Sequence, residues 1–303
     1  MINIEKQYED TITRYNYFRS VQILPTTEDL DYKGWLNNFK DGLEKNLASL
    51  ILDFFMFYPK KMVDYMLIKT VGHAGYILKD KFPDWEHSHF KTRCLYTFIP
   101  GENPNPTDSG HIFVRKLRDI LHIPQNQIVD FGNLHERLNK TETPIPVIFV
   151  DDFIGSGLQC FRAWNNSINA SKKSLNDISM ASNHIFIYTP LIASLKGYDY
   201  IKRYCSGLHL SVAHILGEEY DLFNPKCVCW KNDNDLFMQG MKLIVGKSEQ
   251  LGIPDDDNKE YCMRGFYGQG LAIAFEHGAP DAIPGIFYCS ENWTPLIKKV
   301  YSR

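Results

Sequence analysis

The sequence has no block of lysine or arginine: its 33 basic residues stand against 36 acidic ones, for a formal net charge of −3. Bulk electrostatics therefore does not announce a nucleic-acid binder, and only a local patch could make one. No apolar run is long enough to span a bilayer, since the longest, 47–58, is broken by Asp53. Met1 to Lys6 lead straight into polar sequence, so no signal peptide is expected. The seven cysteines are odd in number and scattered, which argues against a disulfide framework and for reduced thiols in a cytosol. A cytoplasmic protein without membrane association is the expectation. No Gly-x-Ser-x-Gly elbow occurs, so a serine hydrolase has no support. What is present in quantity is apolar sequence. At 303 residues and 44% hydrophobic, the chain can bury a sizeable core.

The most informative stretch runs from Pro146 to Gly157. Val147, Ile148, Phe149 and Val150 read as a buried strand of a parallel sheet. Asp151 and Asp152 stand where that strand should emerge, followed by Gly155-Ser156-Gly157 and an amphipathic helix from Leu158 to Ile168. Strand, acid pair, glycine-serine turn and helix describe a phosphate cradle at a helix N-terminus, where backbone N–H groups and the helix dipole hold an anion. Like charges repel, so the acids should instead accept hydrogen bonds from hydroxyls of the attached sugar or organise a metal ion. A Walker B strand competes for the same residues, but it requires a P-loop. The nearest candidate, Gly240 to Ser248, has one residue too many between its glycines and sits in a helix-like stretch.

Residues 1–90 read as a helical extension or cap, with Leu36, Phe39, Leu43, Leu47, Leu50, Ile51, Phe54, Phe55 and Tyr58 at helical steps as far as Pro59. Residues 91–303 read as an α/β core. Strands are expected at Cys94–Pro100, Val147–Val150, His184–Tyr188, Leu208–Val212 and Ile283–Tyr288, with helices at His111–His122 and Leu191–Tyr204. This alternation predicts a doubly wound, mostly parallel sheet. Ligands in such sheets bind outside the carboxyl ends of the strands.

The string around Asp151 and Asp152 resembles the binding signature of type I phosphoribosyltransferases. That resemblance implies that Asp151 and Asp152 hold ribose hydroxyls of phosphoribosyl pyrophosphate. It implies also that the following loop (Phe153, Ile154, Gly155, Ser156, Gly157, Leu158 and Gln159) wraps its 5′-phosphate. Gln159 departs from the family pattern, which usually has a threonine there. A pyrophosphate loop is expected at Gly101–Gly110, with Gly101, Ser109 and Gly110 as its candidates, and Mg²⁺ would arrive on the substrate rather than on protein ligands alone. Trp35 to Phe39, Phe275-Glu276-His277 and Trp293 to Leu296 extend the similarity to the phosphoribosyltransferase-like domain of bacterial conflict systems, including the class accompanying retron reverse transcriptases. This implies a component or effector of anti-phage defence, with a protein partner or a reverse transcriptase–RNA complex. The alternative is a catalytically inactive sensor or scaffold in such a complex. A ribonucleoprotein subunit would need Arg115, Lys116 and Arg118, or Lys172 and Lys173, to merge into one patch.

Further candidates are Gly265, Phe266 and Gln269, in a glycine-rich loop open to close ligand approach, and His277 as an acid/base or ligand group. Asp255, Asp256 and Asp257 read as a solvated loop. Cys205, His209, His214, Cys227 and Cys229 match no usual zinc spacing, and Cys227-Val228-Cys229 reads as a strand. In the enzymatic reading, substituting either Asp151 or Asp152 by Asn abolishes activity.

Overall fold

A computed structural model of the chain describes residues 4–101, 109–141, 143–167 and 173–299. In chain order the first elements are helices α1 (Gln7–Ser20), α2 (Tyr32–Leu36) and α3 (Leu43–Phe54), and strand β1 (Met56–Tyr58). Next come α4 (Lys60–Lys81), β2 (Leu95–Phe98), α5 (Ser109–Asp119), α6 (Leu134–Asn139), β3 (Pro146–Ile154), α7 (Leu158–Asn165) and α8 (Leu175–Ala181). The remainder are β4 (Ile185–Ser194), α9 (Leu195–Tyr204), β5 (Leu208–Leu210), β6 (His214–Leu216), α10 (Asn234–Gln250) and β7 (Ile273–Phe275). Contacts divide the chain into two compact units, one from Met1–Lys60 with Gly217–Arg303, the other from Lys61–Leu216. The division therefore does not fall at residue 90. The first 60 residues share their core with the last 87, and the α/β sequence lies between.

The unit of residues 61–216 is a doubly wound α/β layer structure. Its sheet runs β2-β3-β4-β5, with β6 also on β4, and every pairing is parallel. Val147 to Val150 are fully buried, as a central strand covered on both faces requires. On one face Val147, Phe149, Phe186 and Tyr188 pack with Leu134, Cys160, Trp164, Leu175 and Ile201 from α6, α7, α8 and α9. On the other face α5 lies so close to β2 that a Cβ on Gly110 would enter the Phe98 ring. Ser211 donates to the carbonyl of Thr70 in α4, at 2.8 Å.

Several expected boundaries move. β4 continues through Pro190 to Ser194, so the helix begins at Leu195 rather than Leu191. Pro190 is tolerated because it falls between the pairing of β5 with residues 186–188 and that of β6 with residues 192–194; its missing N–H interrupts neither ladder. The strand expected at Leu208–Val212 ends at Leu210.

In the other unit, β1 pairs in parallel with β7, Met56 opposite Ile273. Residues 56–58 are therefore extended rather than the helical continuation expected, and a left-handed Gly42 (φ 78°) separates α2 from α3. Trp35 is fully buried, its Nε1–H donating to the carbonyl of Ile286 at 3.0 Å, with its ring stacked on Phe287. The expected strand at Ile283–Tyr288 is instead a single 3₁₀ turn, Gly285–Phe287, opened by Pro284. Val228–Trp230 is another, in place of the strand expected around Cys227. Among the described residues no helix is long and apolar enough to cross a membrane.

Candidate functional site

β3 does not stop at the acid pair. It stays paired with β4 as far as Ile154 opposite Ala193, so Asp151, Asp152, Phe153 and Ile154 are all strand residues and only Gly155, Ser156 and Gly157 form the turn. Gly157 is left-handed (φ 81°) and is the N-cap of α7. A Cβ there would stand 2.9 Å from the carbonyl oxygen of Gly197, so glycine is required by both the backbone and its neighbour. The Leu158 N–H donates to Ser156 Oγ at 3.3 Å. Ser194 fixes the turn from the start of α9. Its Oγ donates to the Gly155 carbonyl at 2.6 Å and accepts the Gly197 N–H at 3.0 Å, capping α9 in the same act. Gln159 turns aside: its Nε2 donates to the Ile99 carbonyl at 3.1 Å, tying α7 to the end of β2.

The two acids meet different surroundings. Asp151 is 4% exposed; its Oδ1 accepts the Asp152 N–H at 3.0 Å and its Oδ2 the Tyr188 hydroxyl at 2.6 Å. Burial first, and the neighbouring Asp152 charge second, hold the Asp151 carboxyl well above the ordinary carboxylate range, against the pull of Tyr188. Burial also raises Tyr188 and the Cys160 thiol, which has Cys205 beside it. Asp152 is only half-buried and accepts a hydrogen bond from Ser109 Oγ, the first residue of α5, at 3.2 Å. The end of β2, the start of α5 and the β3–α7 turn thus converge at the carboxyl ends of the strands, through Gln159 and Ser109. Gly101, Ser109 and Gly110 flank the expected pyrophosphate loop, whose residues 102–108 lie outside the described residues.

A family model matches residues 32–299. The chain belongs to the PRTase-CE family. No curated protein matches it. The PRTase-CE match covers most of the chain and gives it a phosphoribosyltransferase-like domain. Gly265, Phe266, Gln269 and His277 of this PRTase-CE chain belong to the unit of residues 1–60 and 217–303, whereas Asp151 to Gln159 belong to the other. There they serve local structure: Gly265 is left-handed against the Ala282 carbonyl, Phe266 N–H donates to Asp281, and His277 stacks on Phe275 at 5.1 Å. Gln269 Nε2 donates to the Phe266 carbonyl at 3.0 Å. Asp255 pairs with Arg264 and Asp256 with Lys259. The basic residues of α5 are ion-paired, Lys116 with Asp64 and both Arg115 and Arg118 with Asp119, and Lys172 lies outside the described residues. All seven cysteines are free and buried. Tyr188 and Ser194 carry no motif of their own; the register that places Tyr188 opposite Phe149, two residues before Asp151, is what brings it to the site.

Proposed function

We propose that the chain binds phosphoribosyl pyrophosphate, or a closely related nucleotide or sugar phosphate, at the β3–α7 turn, and transfers its ribosyl group. The observation that carries this reading is the left-handed Gly157 opening α7 beside a turn clamped by Ser194, with a half-buried carboxylate, Asp152, on the strand that feeds it. Backbone N–H groups at the start of α7 would take the 5′-phosphate. The acid pair would serve the ribose hydroxyls, and Ser109 with Gly110 would face the diphosphate. In the reaction the C1′–O bond to pyrophosphate breaks and an acceptor attacks C1′, so fixing the ribose at both ends supplies much of the rate. Mg²⁺ bound on the diphosphate would offset the charge that builds on the leaving group. Among the described residues no three or more His, Cys, Asp or Glu side chains gather to hold a metal ion; Asp152, on the strand that feeds the turn, offers a carboxylate oxygen. By resemblance, the biological setting is bacterial anti-phage defence, with the chain as effector or component and a protein or reverse transcriptase–RNA complex as partner.

One observation favours a second reading. The Gln159 amide, where the type I phosphoribosyltransferases that the turn resembles usually have a threonine, is engaged with Ile99, which suits a sensor or scaffold that holds the ligand without turnover. Calorimetry with phosphoribosyl pyrophosphate and Mg²⁺, paired with detection of released pyrophosphate, separates the two. Binding with release is the expected result for the transferase, binding alone selects the sensor, and no heat of binding removes both.

A further inference from the structure

Helix α4 carries apolar residues on two sides. Val63, Leu67, Val71, Ala74 and Leu78 are buried, whereas Met62, Tyr65, Ile68 and Tyr76 face outward, Tyr65 63% and Tyr76 75% exposed. At 3.6 residues per turn, Tyr65, Lys69, Gly72 and Tyr76 form one narrow stripe, flanked by Met62 and Ile68. Lys69 Nζ lies over the Tyr65 ring, 5.4 Å from its centroid, and the His73 and Tyr76 rings are 6.0 Å apart. Gly72 sits mid-stripe. A glycine inside a helix lowers its stability relative to alanine, yet a Cβ at Gly72 would meet nothing within 4 Å. Its neighbour Gly75, by contrast, packs against Phe90 and Trp85. Gly246 of α10 is as open as Gly72, but Lys242, Glu249 and Gln250 surround it one turn away, so no apolar stripe runs through it. Packing within the chain does not account for Gly72; close approach of a second backbone does.

We propose that this stripe of α4 is a two-fold interface between two copies of the chain, the helices crossing antiparallel at Gly72. The stripe complements itself. In such a crossing, residues equally far from Gly72 on opposite sides lie level with one another. Ile68, four residues before Gly72, then meets Tyr76, four after it, on the second copy. Tyr65, seven before, meets the exposed Lys79, seven after, which sets an ammonium against a ring face. Lys69 falls level with Gly75, away from other lysines. A parallel pair would instead oppose Lys69 to Lys69 and Lys79 to Lys79, and like charges so placed repel. A two-fold axis demands that residue i meet j while j meets i, and the Ile68–Tyr76 and Tyr65–Lys79 pairs do so. With no side chain at Gly72, the axes can approach more closely than the usual 8–10 Å or so. One helix pair covers less than the roughly 800 Å² per partner of a stable interface, so the dimer should dissociate on dilution. Nothing in this depends on what the β3–α7 turn binds.

Sedimentation velocity on the full chain, from about one to several hundred micromolar, should show a reversible monomer–dimer equilibrium. Gly72→Gln fills the crossing point with a side chain that the monomer has room for and a helix favours. It should weaken association more than tenfold while leaving the melting temperature of the dilute protein unchanged or raised. Tyr76→Ser should also weaken association more than tenfold. The native cysteines are all buried, so an introduced surface thiol can be addressed alone. A mixture of Ile68→Cys and Tyr76→Cys chains should cross-link through a short bismaleimide severalfold more than either variant does with itself, as the antiparallel register requires. A dimer that both Gly72→Gln and Tyr76→Ser leave intact overturns the proposal, as does cross-linking of each cysteine variant chiefly to itself. A chain that stays monomeric at the highest concentration overturns it too, and leaves the stripe to a different partner.

Discussion

Asp151 keeps a carboxyl enclosed by Tyr188, Cys160 and its own strand, and burial raises its proton affinity well above the ordinary value. The consequence for stability has a definite sign. Above the unfolded-state value of about 4 the unfolded chain releases this proton while the folded chain keeps it, so stability falls as pH rises through the window up to the raised folded value. Below that window the contribution is fully present. Asp151→Asn cannot ionise and should lose this slope. Urea melts from pH 5 to pH 8 should therefore show the Asn variant gaining on the unsubstituted chain as pH rises. A difference between the two that stays constant across the range would mean that Asp151 ionises in the folded chain as it does in the unfolded one.

At the scale of elements, the turn and the helix beside it are joined by one side chain. Ser194 caps α9 through the Gly197 N–H and holds the Gly155 carbonyl. Replacing a serine cap by alanine costs about 1 kcal/mol, and a buried carbonyl left without its donor costs about 1–3 kcal/mol. Ser194→Ala should thus destabilise its unit by about 2 kcal/mol and speed amide exchange at residues 155–158 and 195–198 together; exchange rising in only one of these segments would show that the serine does not couple them. The same region shows what a sequence can and cannot disclose. The strand Val147–Val150, the acids and the glycine turn were legible because hydropathy, charge and left-handed geometry are local properties. The extension of β3 through Asp151 and Asp152 was not, since it depends on β4 continuing past Pro190, and a proline ordinarily argues against a central strand. Nor was the burial of Asp151, which Tyr188 imposes from 37 positions away.

For the molecule as a whole, the hardest feature to read in advance is that residues 1–60 belong with 217–303. Helical periodicity marks the first segment as an extension or cap, but it does not show that its apolar stripes close on partners more than two hundred residues distant. Trp35 reaches Ile286, Asn38 exchanges two hydrogen bonds with Thr294, and the Asp31 N–H donates to the Leu296 carbonyl. The family match begins at residue 32 and ends at residue 299, so it takes in both sides of this closure. Trp35 is the fully buried centre of the cluster with Phe39 and Phe287, and truncating a buried tryptophan to alanine costs about 3–5 kcal/mol. Because both chain segments share this core, Trp35→Ala should lower protection in α3 and in residues 271–288 alike, although the latter lie far along the chain. Hydrogen exchange read by mass spectrometry checks this directly. Loss of protection confined to the first 60 residues would show that the segment folds on its own and that the last 87 residues complete a core without it.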